Sequence, residues 1–357
     1  MTRGRTKVSP VKYARRLKSR SGTDGAFNRP CNTMQYRTLG NSSLSVSTLC
    51  FGGNVFGWTV DESASFKLLD ALTEAGGNFI DTADVYSRWV PGHPGGESET
   101  IIGAWLARHA KTRGRHRLLI ATKVGMDMGG DSRGLSRRHI LSSVEASLKR
   151  LRTDYIDLYQ SHVDDPAVPL EEPLETYALL MRQGKIRHIG ASNFSAGRLA
   201  ESLAVGRAHG LPAYVSLQPE YSLYKRAGYE SALETLCRRE NLGVIGYYSL
   251  ASGFLTGKYR NTRDTIGRAR GARIADYLDA RGLRILAALD SVASRHRANP
   301  TRVALAWLIA RPGICAPIVS ATSLDQLHDL VEATRLKLDA EDIDLLDDAS
   351  GESPTPT

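Results

Sequence analysis

Residues 78–86, Asn-Phe-Ile-Asp-Thr-Ala-Asp-Val-Tyr, decide the fold that this sequence predicts. The apolar run at the start of this stretch is typical of a short buried strand, and the carboxylate of Asp81 and the phenol of Tyr86 follow it. Parallel α/β sheets and barrels carry their functional residues where the strands end. We therefore expect Asp81 and Tyr86 to lie in a functional site whose other residues come from the ends of other strands.

The same unit, an apolar strand followed by a polar loop and an amphipathic helix, recurs along the chain. The predicted strands span 48–51, 78–80, 118–122, 155–160, 186–190, 213–217, 243–247 and 317–319. The predicted helices begin near Asp61, Ser98, Ser136, Pro173, Ser195, Gly228 and Pro300. Eight strands that alternate with helices over about 300 residues predict a (β/α)8 TIM barrel of the α/β class.

A doubly wound parallel sheet is the alternative fold. Sheets of this kind that bind a dinucleotide carry Gly-x-Gly-x-x-Gly directly after the first strand. Here the glycines of residues 52–57, Gly-Gly-Asn-Val-Phe-Gly, have a different spacing and lead into a loop rather than a helix. The sequence therefore favours the barrel.

Three features lie outside the repeat. Residues 35–39 and 44–47 alternate around a Gly-Asn-Ser turn, which predicts an N-terminal β-hairpin. Residues 249–281 form a long irregular insert after the seventh strand, and loops of this length are usually functional covers or disordered. Two extra helices are predicted at roughly 282–297 and 341–349.

The charge of the chain is concentrated at its N-terminus. The 357 residues are 41% hydrophobic and 24% charged, as in a globular protein with a sizeable core, and their net charge is +9. Residues 1–33 hold nine Lys or Arg residues and one Asp, a net charge of +8, which leaves +1 for the rest. We predict a disordered basic leader at 1–33, or an alternative start at Met34, and one barrel domain at 34–357. The nearly neutral body predicts no nucleic-acid partner and no membrane partner.

The cysteines and the hydropathy restrict the possible classes further. Cys31, Cys50, Cys237 and Cys315 form no Cys-x-x-Cys pair, so we expect reduced thiols in a cytoplasmic protein with no metal site. No apolar stretch approaches the length of a membrane span.

The C-terminal ends of the predicted strands carry an unusual set of polar residues. In chain order these are Asp81 with Tyr86, Lys123, His162, Ser192 with Asn193, Gln218, Tyr247 and Ser320. In a barrel all strand ends meet at one mouth, so residues that are far apart in sequence become neighbours.

Each of these residues also fits a structural role. Asp81 fits the N-cap of a turn, and Lys123 fits a surface lysine, although it follows a buried run. His162 alone is more often a hydrogen-bonded core histidine than a catalyst, and Gln326 fits a capping box with Ser323. Only their shared position at one end of the barrel favours a functional interpretation.

Asp, Tyr, Lys and His together suit proton transfer to a developing alkoxide. A free tyrosine, with a pKa of about 10, is a weak acid near neutrality. We expect the Lys123 ammonium to lower the pKa of Tyr86, and Asp81 to keep that lysine charged and oriented. His162 would hydrogen-bond the substrate oxygen from across the pocket.

A metal-dependent hydrolase is the competing barrel chemistry, because its ligands also come from strand ends. The sequence offers one cluster of this kind, His162, Asp164 and Asp165, and no His-x-His at a strand end accompanies it. Metal analysis would distinguish the two classes.

From about residue 34 to residue 349 the chain resembles the aldo-keto reductases. The segments that carry this resemblance, in the family's order and spacing, are 81–86 (DTADVY), 121–123 (ATK), 155–162 (YIDLYQSH), 184–194 (GKIRHIGASNF) and 252–259 (SGFLTGKY). The resemblance implies a barrel that binds NADP(H) extended across its mouth. It also implies a catalytic tetrad of Asp81, Tyr86, Lys123 and His162.

The resemblance further implies where the cofactor is held. Ser192, Asn193 and Gln218 would hold the nicotinamide carboxamide, Tyr247 would stack on the ring, and segment 249–258 would cover the pyrophosphate. The complete set of predicted cofactor-binding residues is Gly53, Asn54, Ser192, Asn193, Gln218, Tyr247, Ser249, Leu250, Ser252, Lys258, Arg270, Ser320, Thr322 and Gln326.

The chain departs from the family pattern in two loops. Tyr248-Ser249 stands where the family usually has Ser-Pro after the strand-seven aromatic residue. Leu330 stands at the position of an Asn after strand eight, which removes a contact to adenine.

A third departure concerns the ribose 2′-phosphate. Many relatives have a basic residue near position 322, where this chain has a threonine. Lys258 and an arginine of the insert, Arg268 or Arg270, remain as candidates. The resemblance therefore implies NADPH as the coenzyme, with NADH as the alternative.

Two functions are compatible with this resemblance. The first is an NADPH-dependent oxidoreductase that reduces an aldehyde or ketone, with the proton from Tyr86. The second is an NADP(H)-sensing regulatory subunit that docks on a partner protein and turns over little substrate. Trp58, Trp89 and loop 87–96 favour a ring-containing or bulky apolar small-molecule carbonyl, although both tryptophans also fit ordinary packing. The sequence does not indicate an oligomeric state.

Overall fold

A computed structural model describes residues 34–109, 114–130 and 132–351. The parallel strands found in these residues are β3 (Cys50–Gly52), β4 (Phe79–Asp81), β5 (Leu119–Val124), β6 (Ile156–Ser161), β7 (Ile186–Ser192), β8 (Ser216–Gln218), β9 (Gly243–Val244) and β10 (Ile318–Val319). From β3 to β9 each strand pairs with the next along the chain, and β10 pairs with β3. Backbone hydrogen bonds of 2.8 Å from Cys315 N, before β10, to Val244 O of β9 and from Ile318 N of β10 to Gly246 O, after β9, connect these two segments. The predicted (β/α)8 barrel is therefore confirmed.

Helices follow the strands as the repeat predicted. They are α1 (Glu62–Glu74), α2 (Glu97–His109), α3 (Arg137–Leu151), α4 (Glu171–Arg182), α5 (Ala196–His209), α6 (Ala232–Arg239), α7 (Gly271–Ala275), α8 (Ala280–Arg295), α9 (Pro300–Ala310), α10 (Leu324–Ala333) and α11 (Ala340–Ser350). Asp61, Ser136 and Ser195 cap α1, α3 and α5, because each side chain accepts a bond from the backbone N–H three residues on. None of the described helices is both long enough and apolar enough to cross a membrane.

The parts outside the repeat differ somewhat from expectation. The predicted extra helices are α8 and α11, and α10 is a further helix, after the last strand, that was not predicted. The insert is less irregular than expected, because it contains α7 and the short 3-10 helices Ala251–Thr256 and Thr262–Thr265. The predicted leader at 1–33 lies outside the described residues.

The N-terminal hairpin covers one end of the barrel. Its strands, β1 (Tyr36–Thr38) and β2 (Ser45–Ser47), pair antiparallel as predicted. Leu39 and Val46 are fully buried in the apolar cluster that also contains Phe79, at the start of its strand inside the barrel. The amino-terminal end of the barrel is thereby filled with apolar side chains, and the opposite end remains for chemistry.

The strand pleat decides which polar residues enter the barrel. On β4, Phe79 belongs to the interior cluster and Ile80 to the outer core, so Asp81 faces inward. The same alternation on β5 turns Lys123 inward, and the register pairs Lys123 with Gln160 of β6. Strands β4, β5 and β6 thus place the carboxylate of Asp81, the ammonium of Lys123 and the amide of Gln160 together inside the barrel mouth.

Helices α2 and α3 touch so closely at Gly103 that the site accepts no side chain. A Cβ there would lie 2.0 Å from the main-chain O of Arg150. We expect Gly103→Ala to lower the free energy of unfolding by about 2 kcal/mol or more, because the two backbones must separate. Gly197→Ala in α5 is the matched control, since a Cβ there meets open space and alanine favours the helix. Urea denaturation measures both changes, and equal effects would contradict the close-contact argument.

Candidate active site

Lys123 lies at the centre of the candidate site. Its Nζ donates to Asp81 Oδ2 at 2.6 Å, to Tyr86 Oη at 2.7 Å and to the main-chain O of Thr82 at 2.9 Å. Lys123 is fully buried. An ammonium group has three donors, and all three are used here, so its charge is compensated without water.

Asp81 is held by more than the lysine. Its Oδ1 accepts hydrogen bonds from Gln160 Nε2 at 3.2 Å and from Gln218 Nε2 at 3.0 Å. Its Oδ2 also accepts a 3.2 Å bond from the Tyr86 hydroxyl. The carboxylate is therefore fixed from four sides and stands between the lysine and the tyrosine.

The pKa of Tyr86 differs from the expectation that Lys123 would lower it. Burial of the phenol, followed by the neighbouring Asp81 carboxylate, raises its pKa well above 10. The Lys123 ammonium favours the phenolate, but desolvation and the carboxylate together outweigh it, so the expected lowering is wrong. Tyr86 therefore carries its proton throughout the neutral range.

His162 faces the same phenol. Its ring centroid lies 6.2 Å from that of Tyr86, at an interplanar angle of 73°. Burial, and then the charge of Lys123, hold its pKa well below 6.5, so the imidazole is neutral near pH 7. Its Nδ1 is buried and has no hydrogen-bond partner among the described residues.

A cavity of about 790 Å³ opens at the C-terminal ends of the strands. Tyr86 and His162 line it, whereas Asp81 and Lys123 lie behind its wall. The predicted cofactor residues that line it are Asn54, Ser192, Asn193, Gln218, Tyr247, Ser249, Leu250, Ser252, Lys258, Arg270, Ser320, Thr322 and Gln326. Gly53 is the exception: it is buried behind the wall, where an added Cβ would lie 2.8 Å from Ser98 Oγ.

Polar side chains beside the tetrad form one hydrogen-bonded row. Ser192 Oγ donates to the main-chain O of Gln218 at 2.9 Å, and Asn193 Nδ2 donates to that of His162 at 2.9 Å. The Tyr247 hydroxyl donates to Asn193 Oδ1 at 2.9 Å. Asn193 adopts a positive φ of 56°, which an Asn tolerates better than most residues. The row presents fixed amide and hydroxyl groups to the cavity.

The insert forms the opposite wall with an unusual backbone. Tyr248, just before the insert, and Ala251 and Ser252 within it all have positive φ, at 51°, 46° and 59°. Such conformations are costly for these residues and tend to persist where a loop has a functional shape to hold. Arg270 reaches across the mouth, with its Cζ 5.3 Å from the centroid of the Trp58 ring.

Aromatic rings line the cavity next to Tyr86. Trp89 lies edge-on to Trp58, with ring centroids 5.6 Å apart, and its centroid is 6.0 Å from that of Tyr86. Trp89 is 48% exposed and Met126 is 38% exposed, which is high for such large apolar side chains. This exposed surface beside a polar centre is typical of a pocket for an apolar ligand.

A family model and several relatives place the chain among known proteins. The model of the Aldo/keto reductase family matches residues 48–350. The chain is 35% identical over 331 residues to "Uncharacterized oxidoreductase YrpG" of Bacillus subtilis, which covers 90% of this chain and 98% of that protein. It is 35% identical over 337 residues to "Protein tas" of Escherichia coli, with coverages of 87% and 95%. A protein of Arabidopsis thaliana named "Probable voltage-gated potassium channel subunit beta" is 31% identical over 308 residues, with coverages of 84% and 91%.

The chain belongs to the aldo/keto reductase family. It is accordingly an NADP-dependent oxidoreductase with the barrel fold of that family, as its sequence predicted. The family implies NADP(H) as cofactor and carbonyl reduction as the reaction. No group of side chains among the described residues is arranged to hold a metal ion.

The donor set of this aldo/keto reductase fits NADP(H). The amide and hydroxyl groups of Ser192, Asn193 and Gln218 offer the paired donors and acceptors that a carboxamide needs. Lys258 and Arg270 line the same cavity and suit phosphate groups. A volume of about 790 Å³ is within the range of sites that enclose such ligands.

Gln326 and Leu330, two residues of α10, line the far end of the cavity. Ser323 caps α10, but Gln326 does not complete a capping box with it. Instead Gln326 Oε1 accepts bonds from Thr322 N at 2.9 Å and Thr322 Oγ1 at 3.1 Å. Leu330, at the position where the family has Asn, lines the cavity as an apolar wall.

Some site residues were missed in the sequence. Gln160 donates a hydrogen bond to Asp81. It lies two residues before His162, and residues two apart in a strand face the same side, so this spacing could have identified it. Asn299 and Asp329 also line the cavity, and Asp329 accepts a 2.9 Å bond from Arg302 Nε. Nothing in the sequence pattern distinguished these two residues from helix-surface positions.

Proposed function

We propose that this chain reduces the carbonyl group of an aldehyde or ketone, with Tyr86 as the proton donor and NADPH as the preferred coenzyme. The observation that carries this proposal is the position of Lys123 Nζ, 2.7 Å from Tyr86 Oη and 2.6 Å from Asp81 Oδ2, directly behind the cavity wall. When bound, NADPH supplies the hydride that reaches the carbonyl carbon.

Tyr86 then supplies the proton. As the carbonyl carbon is reduced, its oxygen gains negative charge and becomes a much stronger base than a phenolate. The raised pKa of Tyr86 ensures that the hydroxyl still holds a proton to donate at neutral pH. The Lys123 ammonium stabilises the phenolate that remains, and Asp81 keeps that ammonium in place.

His162 orients the substrate in this proposal. Because its pKa is lowered, it is a neutral imidazole that can donate one hydrogen bond to the carbonyl oxygen without competing as an acid. The bond from Asn193 to the main-chain O of His162 fixes the loop that carries it.

The remaining cofactor roles are part of the same proposal. Ser192, Asn193 and Gln218 hold the carboxamide, with Tyr247 and Asn54 beside the ring. The segment 249–258 covers the pyrophosphate, and Lys258 with Arg270 or Arg268 neutralises the phosphates. Gly53 contributes by letting the backbone approach Ser98 rather than by lining the cavity. The other cavity-lining residues predicted for this role are Ser249, Leu250, Ser252, Ser320, Thr322 and Gln326.

The proposal extends to the surroundings of the domain. We propose that the substrate is a small carbonyl compound, that the enzyme works in the cytoplasm without nucleic acid or membrane, and that residues 34–357 are one domain behind a basic leader. The near-neutral charge of residues 34–357 supports the absence of a polyanionic partner.

A screen for NADPH consumption tests the proposal directly. Aromatic aldehydes, quinones and keto-sugars are supplied to the purified chain with NADPH, and with NADH in parallel. We expect turnover of at least one carbonyl class, with kcat/KM higher for NADPH than for NADH. Tight NADPH binding without turnover of any carbonyl would contradict the proposal.

The tryptophans of the mouth should decide the ring preference. We expect Trp89→Ala to lower kcat/KM for a ring-containing aldehyde by about tenfold, because the substrate ring loses its packing contact with the indole. For a short aliphatic aldehyde we expect a change below about threefold. Trp105→Phe, in the outer core, is the control for loss of an indole, and it should change both substrates equally. Equal losses for Trp89→Ala would refute the pocket assignment.

A regulatory subunit is the second candidate, and one observation favours it. Two plant relatives at 31–32% identity are named "Probable voltage-gated potassium channel subunit beta". The same screen separates the candidates, since a regulatory subunit would bind NADPH and reduce little. The hydrogen-bonded Tyr86, Lys123 and Asp81 support the enzyme.

A further inference from the structure

Asp84, in the loop that carries Tyr86, is buried without a side-chain partner. It is 2% exposed, and no side chain among the described residues hydrogen-bonds its carboxyl oxygens, which face only the backbone N–H of the neighbouring Val85. The Tyr159 hydroxyl, also buried, has no partner among the described residues. Both side chains lie in the layer between the barrel wall and helices α2 and α3. Two orphaned polar groups in one buried layer are rare, because each costs stability.

The cations of this layer are already in use. Glu99 is fully buried, and it accepts 2.7 Å and 2.6 Å bonds from Arg150 Nε and Thr122 Oγ1. Lys123, on the other face of the wall, is paired with Asp81. An ionised Asp84 would therefore be a second carboxylate beside Glu99 with no counter-ion of its own, which is the costliest state for a buried carboxyl.

We infer that Asp84 is a positioning residue for the Tyr86–Lys123 pair, and that it acts as a neutral carboxyl that holds its proton. This inference rests on the proposed function. The charged and titratable groups that face Asp84 are Glu99 of α2, Arg150 of α3, Lys123 of β5 and Tyr159 of β6.

The electrostatics of this layer agree with a proton on Asp84. Burial, followed by the Glu99 carboxylate, raises the pKa of Asp84 to about 7. The pKa of the Tyr86 phenol is raised and the pKa of the His162 imidazole is lowered, so both pKa values lie away from pH 7. Asp84, two residues before Tyr86 in the chain, is thus a group whose charge changes near pH 7.

The backbone connects this carboxyl to the chemistry. Asp84 N bonds to the main-chain O of Lys123 at 3.4 Å, and Tyr86 N bonds to that of Ala83 at 3.3 Å. Lys123 Nζ in turn binds the main-chain O of Thr82. Ionisation of Asp84 would draw water or Arg150 toward it and shift this short loop. It would also place a negative charge near Lys123, which opposes formation of the Tyr86 phenolate.

The pH profile of Asp84→Asn tests the inference, because asparagine keeps the shape and cannot ionise. We expect the wild-type kcat to fall about tenfold between about pH 6 and about pH 9. The negative charge of ionised Asp84 should destabilise the Tyr86 phenolate by about one pKa unit, which corresponds to a factor of about ten. In Asp84→Asn the fall should be below about twofold, with KM for NADPH unchanged in both. Asp344→Asn, an exposed carboxylate on α11, is the control and should follow the wild type.

Thermal stability gives a second readout that needs no turnover. The raised pKa means that the folded state keeps a proton which the unfolded chain releases at about pH 4, so this group lowers stability as pH rises from about 4 to about 7. We expect the Tm of Asp84→Asn, relative to wild type, to rise by about 5 °C or more across that window. Infrared spectra of the wild type should show a protonated carboxyl that disappears above about pH 7.

Each outcome decides the inference. The inference is overturned if the pH profile of Asp84→Asn matches that of the wild type. It is also overturned if the variant loses activity and Tm equally at every pH, because the protonation of Asp84 would then affect neither. If Asp84→Asn does not fold, the infrared band of the wild type decides. An inactive wild type that still shows the titrating carboxyl would refute the proposed function and leave the proton on Asp84 established.

Discussion

Tyr86→Phe should lower kcat for carbonyl reduction by about 10² to 10⁴-fold, the usual contribution of a positioned general acid. The variant keeps the ring that lies 6.0 Å from Trp89 and 6.2 Å from His162, so the shape of the cavity is preserved. It removes the hydroxyl that takes a 2.7 Å bond from Lys123, and with it the proton for the alkoxide. Because no cofactor contact is proposed for the phenol, the Kd for NADPH should change by less than about threefold.

Two measurements separate chemistry from binding in this variant. NADPH consumption gives kcat and KM, and a fluorescence titration gives the Kd for NADPH. Tyr36→Phe, on the hairpin at the other end of the barrel, is the matched control and should keep wild-type kinetics. Full activity in Tyr86→Phe would remove Tyr86 as the proton donor and would return the assignment to His162 or to water.

The positions of Asp81, Lys123 and Gln218 were predictable because strand ends can be located from apolar runs. The runs before Asp81 and Lys123 are short and continuous, as expected for strands buried on both faces. Once eight such strands imply a barrel, topology alone brings their ends together. The hydrogen bond between Gln218 and Asp81, 137 residues apart in sequence, is a direct result of that closure.

The rest of the site depends on contacts that no local pattern encodes. Trp58, Trp89 and Arg270 come from three separate loops, and their mutual positions follow from packing between those loops. Asp84 was given no role from the sequence, yet it is 2% exposed in the structure. The raised pKa of Tyr86 was missed for the same reason, since its main cause is burial.

Lys123→Met should be the most damaging of these changes to stability. Methionine replaces the apolar stem but leaves the Asp81 carboxylate, fully buried, without the ammonium at 2.6 Å. Removal of one partner of a buried ion pair typically costs about 3–5 kcal/mol of unfolding free energy. The amides of Gln160 and Gln218 still bond Oδ1, so we expect a folded but weakened protein. Urea denaturation measures this loss, and a change below about 1 kcal/mol would contradict the ion-pair argument.

The double variant Asp81→Asn/Lys123→Met separates the structural role of the pair from its catalytic role. Replacing both charges with neutral groups removes the unpaired carboxylate, so we expect most of the lost stability to return. Activity should not return, because no positive charge remains to stabilise the Tyr86 phenolate as it forms, and kcat should stay at least about 10²-fold below wild type. Recovery of kcat together with stability would mean that Lys123 serves the fold alone. Recovery of stability without kcat would show that the Lys123 ammonium serves catalysis, since the barrel would be stable without that charge.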